Sequence, residues 1–135
     1  MNVIGFNFTR ISANKENKKD KLEKINSNLE FTNIAKESID MLKEAHVAKI
    51  DFKYNIDYQP TLAAIDMEGV ILIKSEEKEV DNLIKTWKKN KMEDEVKIPL
   101  FNLILKKCSI KALQLEEELN LPQHIQLPKL QKKIE

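Results

Sequence analysis

Four stretches of the chain alternate apolar and polar residues with a period of two, and two later stretches repeat apolar residues at helical spacing. The alternation predicts strands over 2–13, 22–34, 47–58 and 61–74. In the first, Ile4, Phe6 and Phe8 alternate with Gly5, Asn7 and Thr9. Ile11 is out of phase with them, and a bulge near Thr9 or Arg10 accounts for the switch. In the second, Ile25, Leu29 and Phe31 share one side with Ser27 among them. The third is the cleanest, with Ala48, Ile50, Phe52, Tyr54, Ile56 and Tyr58 against Lys49, Asp51, Lys53, Asn55 and Asp57. It reads as one buried face and one wet face. Gln59-Pro60 breaks it and turns the chain into the fourth strand. There Ile65, Met67, Ile71 and Ile73 share a side, while Asp66, Glu68, Val70 and Leu72 take the other. Gly69 marks the changeover, at a bulge or a close backbone approach.

The remaining segments carry the helical signal. Val80, Leu83, Ile84 and Trp87 follow helical spacing, with Ser75 placed to cap that helix and glutamates in its first turn. The stretch over about 96–119 predicts a long helix with Pro99 near its start. At 100° per residue Leu100, Phe101, Ile104, Leu105, Cys108, Ala112, Leu115 and Leu119 form one stripe, and Leu103, Ile110 and Leu113 gather opposite. Residues 35–45 read as a helical turn or a long hairpin connection, and 14–21 as an exposed loop. The tail, with two prolines and Leu121, Ile125, Leu127 and Leu130, reads as an extended segment laid on the surface. Strands grouped before helices give an α+β fold: a four-stranded antiparallel sheet with two helices packed on one face. The whole of 1–135 reads as a single domain.

Composition narrows the function classes. Lys and Arg number 23 and Asp and Glu 22, a net charge of +1, which supplies no global field for nucleic acid or an anionic membrane. Lysines cluster at Lys15, Lys18, Lys19, Lys21 and Lys24 and at Lys85, Lys88, Lys89 and Lys91, interspersed with acids as on solvated faces. The longest apolar run, Val70 to Ile73, spans no bilayer, and the N-terminal residues do not read as a signal peptide. The single cysteine, Cys108, excludes an internal disulfide, and these features together point to the cytoplasm.

Candidate chemistry is sparse. His46 and His124 are lone histidines, read as surface or structural residues. No metal-ligand spacing is present, two glycines cannot build a phosphate loop, and no cofactor is expected. Asp66 and Glu68 share a strand face and are the one possible acid/base pair; the polar outer face of a sheet is the ordinary reading, and no enzyme is expected. What stands out is apolar surface beyond the needs of one core. Ile4, Phe6, Phe8, Val70 and Leu72 are the candidate peptide-binding residues, and Leu103, Ile110 and Leu113 the candidate oligomer interface.

Three stretches, GFNFTRISA, AKIDFKYNIDYQPTLAAIDMEGVILI and IPLFNLILKKCSIKALQLEEELNLPQHIQLPKL, together resemble the SecB-like chaperone family over about residues 2–130. The near-neutral charge and the IAKESIDMLKEA segment depart from bacterial members and mark a distant relative, with an archaeal-type member as one option. The resemblance implies a four-stranded sheet with helices on one side and a homotetrameric dimer of dimers with the long helix between dimers. It implies an ATP-independent holdase that binds unfolded or extended polypeptide in apolar grooves, with a role in protein export. The alternative is a non-enzymatic oligomeric scaffold that binds one specific folded partner.

Overall fold

The computed structural model describes residues 1–17, 20–37 and 46–132. Its strands are β1 (Asn2–Lys15), β2 (Lys24–Glu37), β3 (His46–Gln59) and β4 (Ala63–Ser75), followed by helices α1 (Glu77–Lys88) and α2 (Asp94–Glu118). The strands form one antiparallel sheet in the order β1-β4-β3-β2, so the two strands with the cleanest alternation are central and the other two are edges. β3 and β4 are joined by a tight turn with a cis Gln59–Pro60 bond. The β1–β2 connection must pass from one edge of the sheet to the other, and it is tied to that turn at both ends. Glu16 donates its N–H to the Leu62 carbonyl (2.8 Å) and Glu23 to that of Gln59 (3.0 Å). The expected helical turn or connection over 35–45 begins inside β2, which runs to Glu37; its remainder lies outside the described residues.

Register explains the faces. Phe6, Ile71, Ile50 and Ile34 form one cross-strand row, Phe8, Gly69, Phe52 and Phe31 the next, and Ile11, Met67, Tyr54 and Leu29 the third. These rows face the helices and build the core with Leu100, Ile104, Cys108 and Ala112 of α2 and Val80 and Leu83 of α1. The β1 register shifts between Phe8 and Arg10, at the bulge the phase change of Ile11 implies. Gly69 lies opposite that bulge, and an added Cβ would meet the Phe52 ring at 2.5 Å and the Asn7 carbonyl oxygen at 2.6 Å. Gly69 is thus a close approach, and the bulge belongs to β1.

The helices differ from expectation in three details. Ser75 is the last residue of β4, and its hydroxyl donates to the Glu79 side chain; the α1 cap position is Glu76, with no side-chain cap. Pro99 lies inside α2, because the helix begins earlier, at Asp94. The buried row of α2 is Leu100, Ile104, Cys108, Ala112 and Glu116, an i, i+4 ridge. Such a ridge drifts about 40° around the helix per step, so the buried face rotates along the axis. Near the N-terminal half the rotation brings Leu103 against the core and leaves Leu105 39% exposed, reversing the sides read from a fixed stripe. Lys15 donates its Nζ to the Leu119 carbonyl (2.9 Å), placing a cation at a helix end whose last turn has none.

Candidate functional site

Two sheet edges carry apolar surface. β2 pairs only with β3 among the described residues, so its outer backbone groups are unpaired along a 14-residue strand. Its alternation turns Leu29 and Phe31 toward the helices, where the Phe31 ring lies 4.7 Å from that of Phe101 in α2. Trp87, near the end of α1, and Met92, in the α1–α2 connection, complete an open groove of about 260 Å³ whose polar lining is Glu30, Asn90 and Lys97. The Lys97 ammonium sits 5.3 Å above the Phe101 ring. The arrangement is an aromatic trough alongside an unpaired strand, with charged groups at its margin.

The residues singled out for peptide binding do not form one surface. Phe6 and Phe8 face the helices and are partly buried, their rings 5.3 Å and 6.4 Å from Phe52, with Lys107 5.9 Å above Phe6. Ile4 falls at a register shift and is 43% exposed. Val70, opposite Asn7 and Asp51, and Leu72, opposite Gly5 and Lys49, lie on the face away from the helices. The alternation of β4 placed Val70 and Leu72 correctly relative to their neighbours, but only the pairing shows that the phase of β1 puts its phenylalanines on the other side. Of the interface candidates, Leu103 packs on the core, Ile110 is 53% exposed, and Leu113 lines a cavity of about 490 Å³ with Leu121 and Leu127 of the tail.

A buried polar cluster also lies where α2 meets the tail. Glu116 occupies the fifth position of the buried ridge and has no exposed surface. Its Oε2 accepts hydrogen bonds from the Tyr58 hydroxyl of β3 and from the His124 N–H (2.9 Å). Its Oε1 lies 2.8 Å from His124 Nδ1, and His124 Nε2 lies 3.4 Å from Ser109 Oγ. The Tyr58 hydroxyl has one proton and a second acceptor, the Pro122 carbonyl at 2.9 Å. Burial, then the neighbouring carboxylate, pushes the Tyr58 phenol up, so it stays a donor. Tyr54 is also raised, by burial first, and Cys108 is pushed up to about 12 by burial alone, which makes it an inert thiol.

Hydroxyl, imidazole and carboxylate stand here in the order of an acyl-transfer triad. Ser109, however, sits in mid-helix, where backbone N–H groups bond within the helix and none is free to hold an oxyanion. The arrangement suits holding the tail. Sequence reading missed Glu116 because it stands in an acidic run that looks solvated; its one signal is i+4 continuation of the ridge from Leu100. Asp66 accepts from Asn55 Nδ2 (2.8 Å), and Glu68 lies in register with Lys53 across β3 and β4, on the polar face. Among the described residues no three His, Cys, Asp or Glu side chains are grouped to hold a metal, and no helix is long and apolar enough to cross a membrane.

No protein-family model and no curated protein matches the chain. Among solved structures it is similar to the Rv1957 SecB-like chaperone of Mycobacterium tuberculosis, in complex with a ChAD peptide from the Rv1956 HigA1 antitoxin. The identity is 19%, the TM-score 0.48, and the match covers 98% of this chain and 92% of that one. A likeness of that size carries no functional argument, and function rests on the geometry of this chain.

Proposed function

We propose that the chain is a non-enzymatic, nucleotide-independent holdase that binds unfolded or extended polypeptide. A client segment adds to the open edge of β2 through backbone hydrogen bonds and drops alternate side chains into the trough of Leu29, Phe31, Trp87, Met92 and Phe101. The observation that supports this reading is the coincidence of the unpaired edge with the aromatic trough. Backbone pairing is indifferent to sequence, and an open apolar trough accepts many side chains, which together suit unrelated clients. A cytoplasmic holdase with a part in protein export is the biological setting we propose. Assembly as a dimer of dimers belongs to the same proposal.

Trp87 is the one tryptophan of the chain and lines the trough, so it reports occupancy directly. Titration with a reduced, carboxymethylated, tryptophan-free polypeptide should shift Trp87 emission saturably. Phe101→Lys should weaken that binding about tenfold, the loss expected when a charge replaces an aromatic anchor. Client binding that leaves Trp87 emission unchanged would remove the trough from the proposal.

A second reading, a scaffold for one folded partner, is favoured by Ile98 (52% exposed), Leu105 (39%) and Ile110 (53%) on the single long helix α2. One stoichiometric partner in a pull-down, with no unfolded proteins, would support it.

A further inference from the structure

We infer that the seat formed by Tyr58, Ser109 and Glu116 is a second peptide-recognition site, which the chain's own tail occupies in cis. Its ligand class is an extended client segment carrying leucine–proline followed two positions on by histidine, as in Leu121-Pro122-Gln123-His124. This deepens the polypeptide-binding reading and rests on it.

The tail is held the way a bound peptide is held. Its Pro122 carbonyl lies 2.9 Å from the Tyr58 hydroxyl as an alternative acceptor to Glu116, its His124 N–H donates to Glu116, and the imidazole bridges Glu116 and Ser109. Backbone contacts fix the direction of the segment and the imidazole fixes its identity. The seat belongs to β3 and α2, whose neighbouring residues join the core, so it is preformed. The tail itself is anchored over a short length. Asn120, at φ 53°, turns the chain out of α2, Leu121 packs on the core, and the His124 side chain is 4% exposed. Directly beyond it Ile125 is 42% exposed, Leu127 40% and Leu130 fully exposed. A segment secured only by Leu121 and His124, between a turn and an exposed run, can leave without disturbing the sheet.

Glu116 supplies the drive for replacement. The Glu116 side chain has one hydrogen bond from the tail's backbone and one contact with its imidazole, and departure of the tail removes both. A segment that brings an N–H and an imidazole in the same frame restores both. The 490 Å³ cavity beside the seat lies between α2, through Leu113, and the tail, through Leu121 and Leu127, so the tail does not fill its own contact with the helix.

The test uses a fluorescent synthetic peptide of residues 119–132, titrated into the full-length chain and its His124→Ala variant. The tethered tail competes at high effective concentration, so weakening it should tighten peptide binding about tenfold in the variant. The peptide with alanine in place of histidine should bind neither chain. A readout on the unaltered protein stands beside this one, should the variant not fold. The chain has two histidines, and with the chain isotopically labelled and the peptide unlabelled only their imidazole NMR signals are detected. Excess peptide should move the His124 signals to their free positions and leave those of His46 unchanged. Equal peptide affinity for both folded chains, or unmoved His124 signals, would overturn the inference. So would exchange of tails between copies, seen as a doubled mass, with no peptide bound. A histidine-free client that still shifts Trp87 emission while the tail peptide fails would sink this inference alone; failure of both would sink the polypeptide-binding reading with it.

Discussion

Gly69, Cys108 and Glu116 each occupy a position where one atom more or one proton fewer has a defined consequence. Gly69→Ala would drive a methyl group into the Phe52 ring and the Asn7 carbonyl. Overpacking of this kind costs about 1–3 kcal/mol, and chemical denaturation should show a loss in that range. The thiol and the two phenols predict an alkaline limit. Cys108 ionises at 9.0 when unperturbed and about 12 in the fold, and Tyr54 and Tyr58 are raised from 10.0. Above pH 9 the unfolded chain therefore releases protons that the folded chain keeps. Their contribution to stability is complete below pH 9 and falls as pH rises toward 12. The unfolding midpoint should drop between pH 9 and 11; a flat profile would contradict the buried setting of these groups. The burial of Cys108 was legible from its place on the apolar stripe. Glu116 was not legible, since its partners come from β3 and from the tail, 58 residues before it and 8 after it.

At the scale of elements, period-two alternation located the strands because a one-residue slip would turn the buried set of β3 and β4 to water. The bulge in β1 was visible too, since Ile11 changes phase against Phe8. The buried side of α2 was harder to read. A fixed stripe averages over the helix, whereas the observed ridge rotates with it, so Leu103 and Leu105 exchange roles. Two substitutions separate these descriptions. Leu103→Lys should cost about 2 kcal/mol, as burial of a charge in a packed position does. Ile110→Lys, on an exposed side chain, should stay within about 0.5 kcal/mol of the parent. Urea denaturation of the two variants checks both, and the mass of Ile110→Lys in solution checks whether that side chain joins copies. Equal costs would restore the fixed-stripe reading.

For the whole molecule, the antiparallel sheet with its helices on one face followed from strands preceding helices. The strand order did not, because no local pattern says that β2 crosses to the far edge. That crossing makes the proposed site: it puts β2 at an edge and sets backbone that is unpaired among the described residues beside Trp87 and Phe101. It also explains why Ile4, Phe6, Phe8, Val70 and Leu72 are not one surface, for pairing with β4 divides them between faces. The role proposed for this geometry is to hold unfolded polypeptide without nucleotide. It is tested most directly by the aggregation of a chemically unfolded reporter protein, followed by light scattering across a range of stoichiometries with no ATP present. The expected result is suppression that saturates at a fixed ratio of chain to client and weakens in Phe101→Lys. Undiminished aggregation in the presence of folded chain would contradict it.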